Sequence, residues 1–391
     1  MISVNEVRKI LEENSIRGKS TEIQVSEAAG YVVYNDIVSP ADVPAFDNSA
    51  MDGYALAFDN SRDNWTVVGE IPAGSTKNFC LRKGEAARIF TGSPMPEGAD
   101  TVIPQEQIER NGNTIYCVLP EIKTGANVRY KGAQIKTGEL MIQQGTLLSA
   151  GSVGLLASVG FAAVKVFAPP VLSVIVTGSE LRTPGEPLPV GAIFDSNSPM
   201  LKAALNEVGI RKIDTCRVPD NEPELQNNIE KELNKSDVVI ISGGISVGDY
   251  DFVKTSLSKL GVNKLIYNVK QRPGKPFFAG KLENKWVFAL PGNPVSALSC
   301  FNHYVKPCIR YFMGHNNVWK PDITLPLAQD SIKKKGFTFF MKAYIENGKV
   351  HLTEGQQSFN LIAFSKADCF AELPEDADFV KAGTPVNVYF L

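Results

Sequence analysis

Three short segments of this chain concentrate glycine, proline and charge in a way that suits phosphate and metal chemistry. In Ser242-Gly-Gly-Ile-Ser-Val-Gly-Asp-Tyr-Asp251 an apolar run ends in glycines and leads toward a helix. The turn through Ser242, Gly243, Gly244, Ser246 and Gly248 exposes backbone N–H groups, and with a helix dipole behind them these favour an anion. Asp249 and Asp251 either cap that helix or hold a divalent cation, since Mg²⁺ binds through one or two carboxylates plus substrate phosphates. Arg272-Pro-Gly-Lys-Pro276 places Arg272 and Lys275 on a stiffened turn, which is either an anion clamp or a solvated surface loop. In Leu290-Pro-Gly-Asn-Pro-Val-Ser296, the residues Pro291, Gly292, Asn293 and Pro294 let the backbone approach a ligand, or simply make a tight strand-to-helix turn.

Two further segments carry polar groups. Asp47-Asn-Ser-Ala-Met-Asp-Gly-Tyr-Ala55 has two carboxylates around a small polar stretch, and an Asx-turn with a Gly bend accounts for that spacing. Thr91-Gly-Ser-Pro-Met-Pro-Glu-Gly98 is a rigid turn with exposed donors. A Walker P-loop, a dinucleotide G-x-G-x-x-G after a strand and an H-E-x-x-H helix are all missing. The six cysteines are scattered and there are only three histidines, His303, His315 and His351, which speaks against a zinc site, a disulfide framework and a His-based triad. Lys and Arg number 40 against 42 Asp and Glu, a net charge of −2, so a general nucleic-acid binder is not expected.

These segments must be positioned by strands and helices. From Pro169 to about Phe312, apolar β-branched runs such as Val171–Val176 and Val238–Ser242 alternate with helical stretches at Asn197–Leu205, Glu222–Lys235, Asp251–Leu260 and Val295–Phe312. Strands are also read at Arg211–Val218, Lys264–Val269 and Trp286–Leu290. Such alternation predicts a mostly parallel, doubly wound sheet covered by helices, with ligands outside the carboxyl ends of its strands. There Thr177-Gly-Ser-Glu180 joins the three segments above. Short alternating runs from Pro40 to Lys136 predict a β-rich domain, and Trp319 to Leu391 a small all-β domain. Met1–Ile16 reads as an amphipathic soluble helix rather than an export signal. Leu155–Val176 is interrupted by Lys165 and Pro169-Pro170, so no membrane span is expected. The sparse cysteines fit a reducing, cytoplasmic setting.

Taken in order, Asp47–Ala55, Thr91-Gly-Ser-Pro, Thr177-Gly-Ser-Glu-Leu181, Ser242–Gly248, Pro273-Gly-Lys-Pro276 and Leu290–Ser296 resemble the MoeA family, the molybdopterin molybdenumtransferases related to the gephyrin E domain. The resemblance spans nearly the whole chain. It implies a multidomain α/β and β protein. Its parts are a connecting domain (14–39 and 138–168), a β-rich domain (40–137), a molybdopterin-binding α/β domain (1–13 and 169–316) and a C-terminal β domain (317–391). It implies insertion of molybdenum from molybdate into adenylylated molybdopterin with release of AMP, aided by Mg²⁺. It further implies Asp52, Thr91, Glu180, Asp220, Asp251 and Lys275 as catalytic residues, with Asp52, Glu180 and Asp251 as metal ligands. A homodimer is implied, in which Asp52 and Thr91 complete the partner's site.

Some positions depart from the family pattern. Ala133 and Gln134 stand where relatives often carry an acidic pair, Ser179 where an acid often precedes Glu180, and Arg272 where Lys is common. Two other activities therefore stay open at this point: molybdopterin adenylyltransferase, whose fold the α/β domain also resembles, and a catalytically weakened molybdopterin-binding scaffold.

Overall fold

The computed structural model describes residues 1–75, 80–118, 122–245 and 252–391. Its central element is a six-stranded sheet in the order Ile213–Val218, Leu172–Thr177, Val238–Ser242, Lys285–Leu290, Phe278–Leu282, Asn263–Tyr267. The first four strands are parallel, and Phe278–Leu282 runs antiparallel to both of its neighbours. Alternation along the buried strands divides the core in two. Val174, Val176, Ile240, Phe288 and Leu290 pack against the helices Val4–Asn14, Asn197–Glu207 and Pro294–Cys300. Ile175, Val239, Ile241, Val287 and Ala289 face Glu222–Lys235 and Phe252–Lys259. Both faces are covered, as a parallel sheet requires.

Three details differ from the sequence reading. The strand Phe278–Leu282 was not expected. Gly280 weakens its strand pattern, and a hairpin turn with Glu283 at φ 54° creates it. The helix at Asn197 is capped by neither Ser196 nor Asn197; instead the carboxylate of Asp195 accepts the Ser198 N–H at 3.0 Å, which leaves the Asn197 side chain free for other contacts. The long helix after Pro294 is not continuous. It comprises Pro294–Cys300, a π-helical segment Phe301–Val305 and Lys306–Phe312. Pro307 has no N–H to give to the carbonyl four residues back, and the ladder widens so that the Lys306 N–H bonds to the Phe301 carbonyl.

A second six-stranded sheet contains Thr101–Pro104, Gly53–Leu56, Glu85–Ile89, Asn64–Ile71, Thr114–Cys117 and Ile108–Asn111, with small apolar cores on its two sides. A connecting unit pairs Ser20–Gln24 with Ala163–Phe167 and Ile37–Val38 with Leu140–Ile142, around the helix Ala150–Ser158. The C-terminal sheet holds Thr338–Glu346, Cys369–Leu373, Pro385–Phe390 and Ile323–Pro326. One of its edge strands is Gln271–Arg272, which comes from the α/β domain and pairs in parallel with Thr338–Phe339. Arg8, on the N-terminal helix, forms a bidentate pair with Glu372 (3.1 and 3.2 Å) and donates to the Tyr389 hydroxyl at 2.8 Å. Both links seat the C-terminal sheet against the α/β domain. Among the described residues, no helix is long and apolar enough to cross a membrane.

Candidate active site

The carboxyl ends of the four parallel strands open into a cleft of about 1000 Å³, closed on the far side by the C-terminal sheet. Each strand end delivers part of the lining: Glu180 after Thr177, Asp220 after Val218, Gly243 and Gly244 after Ser242, and Pro291 to Pro294 after Leu290. Arg272 and Lys275 enter from the loop before Phe278, because an antiparallel strand begins at the same edge where its neighbours end. Phe339, Gln356, Ser358 and Phe359 supply the opposite wall. Asp251, Ser246 and Gly248 lie outside the described residues.

The loops are tied together by hydrogen bonds. Thr177 Oγ1 donates to Asp220 Oδ1, and the Asp220 N–H donates to Ser179 Oγ at 3.3 Å. Asn197 Nδ2 donates to Ser242 Oγ at 2.9 Å and to the Gly292 carbonyl at 2.8 Å, so one amide holds two strand-end loops together. Asn293 Nδ2 reaches Ser358 Oγ at 3.2 Å, linking the α/β loop to the C-terminal wall. The glycine at 243 is dictated by geometry: its φ is +91°, and a Cβ there would lie 2.4 Å from the Thr177 carbonyl oxygen.

The cationic loop rests on a buried polar post. Gln271 is fully buried, and its Nε2 donates to the carbonyls of Pro273 (3.0 Å) and Gly274 (3.1 Å), while its Oε1 accepts the Tyr304 hydroxyl. Arg272 lies over the rings of Phe337 and Phe339, 5.2 and 5.9 Å from their centroids. Among the described residues, no carboxylate is within ion-pair distance of Arg272 or Lys275, so both charges are available to an anion. Glu180 and Asp220 contribute oxygen donors only, which suits a hard cation that keeps some water and shares substrate phosphates. Among the described residues, no group of three or more His, Cys, Asp or Glu side chains gathers at one point.

Asp52 and Thr91 do not line this cleft. They meet each other on the β-rich domain, where the Thr91 N–H and Oγ1 both donate to Asp52 Oδ1 (2.7 and 2.8 Å). These two bonds hold the Asp52 carboxyl below the usual range, and Arg88 adds to the effect. The surrounding loops are knitted by Gly92 N–H to Ser49 O (2.8 Å) and Ala50 N–H to Asn127 O (2.8 Å). Asp47, the outer carboxylate of its segment, is a backbone anchor, accepting the Lys131 N–H at 2.7 Å. Gln134 and Ala133 sit exposed just beyond that anchor.

Several contributors escaped the sequence reading. Asn197 looked like a helix cap, Gln271 and Tyr304 carried no motif, and Arg88 lay inside an ordinary strand pattern. Arg88 donates to the Gly53 carbonyl at 2.9 Å and to the Gln105 side chain beside Asp52. Only the polar character of Gln271, directly before the cationic loop, offered a signal.

Comparison with known proteins adds a second kind of observation. Residues 2–160 match the family model for the MoeA N-terminal region (domains I and II), residues 173–311 that of a probable molybdopterin binding domain, and residues 324–391 that of the MoeA C-terminal region (domain IV). A molybdopterin molybdenumtransferase from Haemophilus influenzae is 38% identical over 400 residues, covering 99% of this chain and 98% of its own. One from Nostoc is 35% identical over 381 residues, covering 92% and 86%. The crystal structure of a molybdopterin biosynthesis MoeA protein from Pyrococcus horikoshii superposes with a TM-score of 0.85 at 30% identity, covering 100% of both chains.

Proposed function

The chain belongs to the MoeA family, and from that premise we propose that it is an enzyme inserting molybdenum into molybdopterin. Molybdate and adenylylated molybdopterin are the substrates in this reading, and AMP is released. The observation that carries it is the cleft at the strand ends, where Glu180 and Asp220 face the same space as Arg272 and Lys275. A phosphoanhydride and a tetrahedral oxyanion need that pairing of charges.

In the chemistry proposed, an attacking water forms a new P–O bond as the phosphoanhydride P–O bond breaks and AMP leaves, and the two dithiolene thiols bind molybdenum while molybdate oxygen leaves as water with their protons. Lys275 and Arg272 hold the oxyanion or the phosphate oxygens and offset the charge that grows on them. The backbone of Gly244 and of Gly292 and Asn293 would offer N–H groups to the phosphate, whereas the Gly243 N–H is given to the Leu290 carbonyl at 3.2 Å and Pro291 and Pro294 have none. Glu180 and Asp220 orient the attacking oxygen. With Asp251 they would also hold Mg²⁺, which when bound neutralises phosphate charge. Asp52 and Thr91 approach the cleft from the partner subunit of a homodimer, since they lie outside the lining of their own. The protein is supplied with adenylylated molybdopterin, molybdate and Mg²⁺, without ATP. AMP release together with reconstitution of an apo-molybdoenzyme is the expected result. Absence of both overturns the proposal, and a requirement for ATP would point to the adenylylating step instead.

A further inference from the structure

A second cavity, of about 320 Å³, lies where the π-helical segment meets the C-terminal sheet, away from the cleft. Its wall carries Arg8, Lys306, Arg310 and Lys320 against one carboxylate, Asp322. Asn302 is 6% exposed, and its Oδ1 is already used by Lys306 Nζ at 2.9 Å. That bond fixes the amide orientation, and it leaves Asn302 Nδ2 buried without a partner. Trp319 Nε1, which can only donate, is likewise buried and unpartnered. His303 is 2% exposed, stacked on Phe340 at 3.6 Å between centroids, and neither ring nitrogen has a partner. Buried donors in native proteins are nearly always satisfied. Asn302 and Trp319, two of the residues around the cavity, thus leave two donors without an acceptor, while the neutral His303 ring leaves one donor and one acceptor.

The charges agree. Lys306, Arg310 and Lys320 line the cavity, and none of them forms an ion pair among the described residues. Arg8 also reaches it but is already paired with Glu372. The one carboxylate in the wall, Asp322, accepts the Phe390 N–H at 2.9 Å. Burial holds Lys306 below the usual lysine range, a penalty that a bound anion would relieve. Asn302 and His303 lie within the π-helical segment Phe301–Val305 and Lys306 directly after it, and π-helical turns often mark functional sites.

We propose that this cavity is a second oxyanion site, taking a small tetrahedral anion of the phosphate or molybdate class between the α/β domain and the C-terminal sheet. The acceptor-only oxygens of such an ion match the donors at Asn302, Trp319 and Lys306, and Arg310 supplies the bidentate fork. The site is independent of the proposed reaction.

Isothermal titration of the full chain with inorganic phosphate, and separately with molybdate, at constant ionic strength tests it. A site should persist within twofold in Lys275→Met, which removes one of the two cations of the main cleft, and weaken at least tenfold in Arg310→Met. Asn302→Asp, which keeps the side-chain volume while adding an acceptor and a negative charge, should weaken it as much. Because Arg310 is only half-buried, its variant keeps the fold, and circular dichroism verifies this. Equal binding of both anions assigns a general oxyanion site, whereas preference for molybdate assigns a reservoir for the metal substrate. If all binding disappears in Lys275→Met, or if Arg310→Met and Asn302→Asp bind as tightly as the parent, the donors are served by water and the proposal is wrong.

Discussion

At the scale of single residues, the site separates groups that act through charge from groups that hold others in place. Glu180 and Lys275 are exposed in the cleft, and among the described residues neither side chain has a hydrogen-bond or ion-pair partner. Glu180→Gln and Lys275→Met should therefore leave the melting temperature unchanged while slowing AMP release by roughly 10²–10³-fold, the range for losing a group that meets transition-state charge. Normal turnover in either variant would remove it from the mechanism. Asp52 behaves differently. Its carboxyl is held down by two bonds from Thr91, so its folded-state pKa lies below the unfolded one. The favourable contribution is in place above the ordinary carboxylate range and is lost as pH falls through the folded pKa. Thr91→Val removes the hydroxyl donor and should move the Asp52 midpoint upward in a carboxyl-carbon NMR titration. An unmoved midpoint would show that the hydroxyl does not tune it.

At the scale of elements, loops owe their shape to what lies beneath them. Gly243→Ala forces a side chain into a left-handed conformation costing roughly 1–2 kcal/mol, besides the clash with the Thr177 carbonyl, and should lower both stability and AMP release. Tyr304→Phe strands the buried Gln271 Oε1 acceptor at a cost of about 1–3 kcal/mol. Thermal unfolding should register that loss, and weaker oxyanion binding should accompany it because Gln271 supports the loop bearing Arg272 and Lys275. A KM unchanged for molybdate would argue that the loop keeps its shape unaided. Much of this was legible beforehand. Buried strands such as Val238–Ser242 announce themselves as apolar runs, and glycine and proline mark where those runs end. Gln271 and Asn197 were not legible, because their partners lie far along the chain: Tyr304 for the first, Ser242 and Gly292 for the second. The break at Phe301–Val305 was visible only as Pro307 inside a helical pattern, and the strand Phe278–Leu282 was masked by Gly280. The meeting of Asp52 with Thr91 needed a fold, since 39 positions separate them.

At the scale of the molecule, two joints among several tie the C-terminal sheet over the cleft. The Arg8–Glu372 pair is largely buried, with side-chain exposures of 15% and 12%. Glu372→Ala leaves an unpaired buried guanidinium and should destabilise the protein by roughly 3–5 kcal/mol, detectable by denaturant unfolding. A loss below 1 kcal/mol would mean that water reaches Arg8 readily. A shared site makes a separate demand: Asp52→Ala and Lys275→Ala chains, each poor alone, should regain part of the parent rate when co-assembled, one intact site forming per mixed dimer. Verified mixed dimers without recovery would confine the chemistry to one chain. The other joint is the strand Gln271–Arg272, which is hydrogen-bonded into the C-terminal sheet while its next residues shape the anion loop. Such a strand belongs to both bodies at once. In the proposed reaction, a displacement of the C-terminal sheet would be passed through this strand to Arg272 and so to the bound anion. Departure of a charged product and withdrawal of the Arg272 charge would then be one movement.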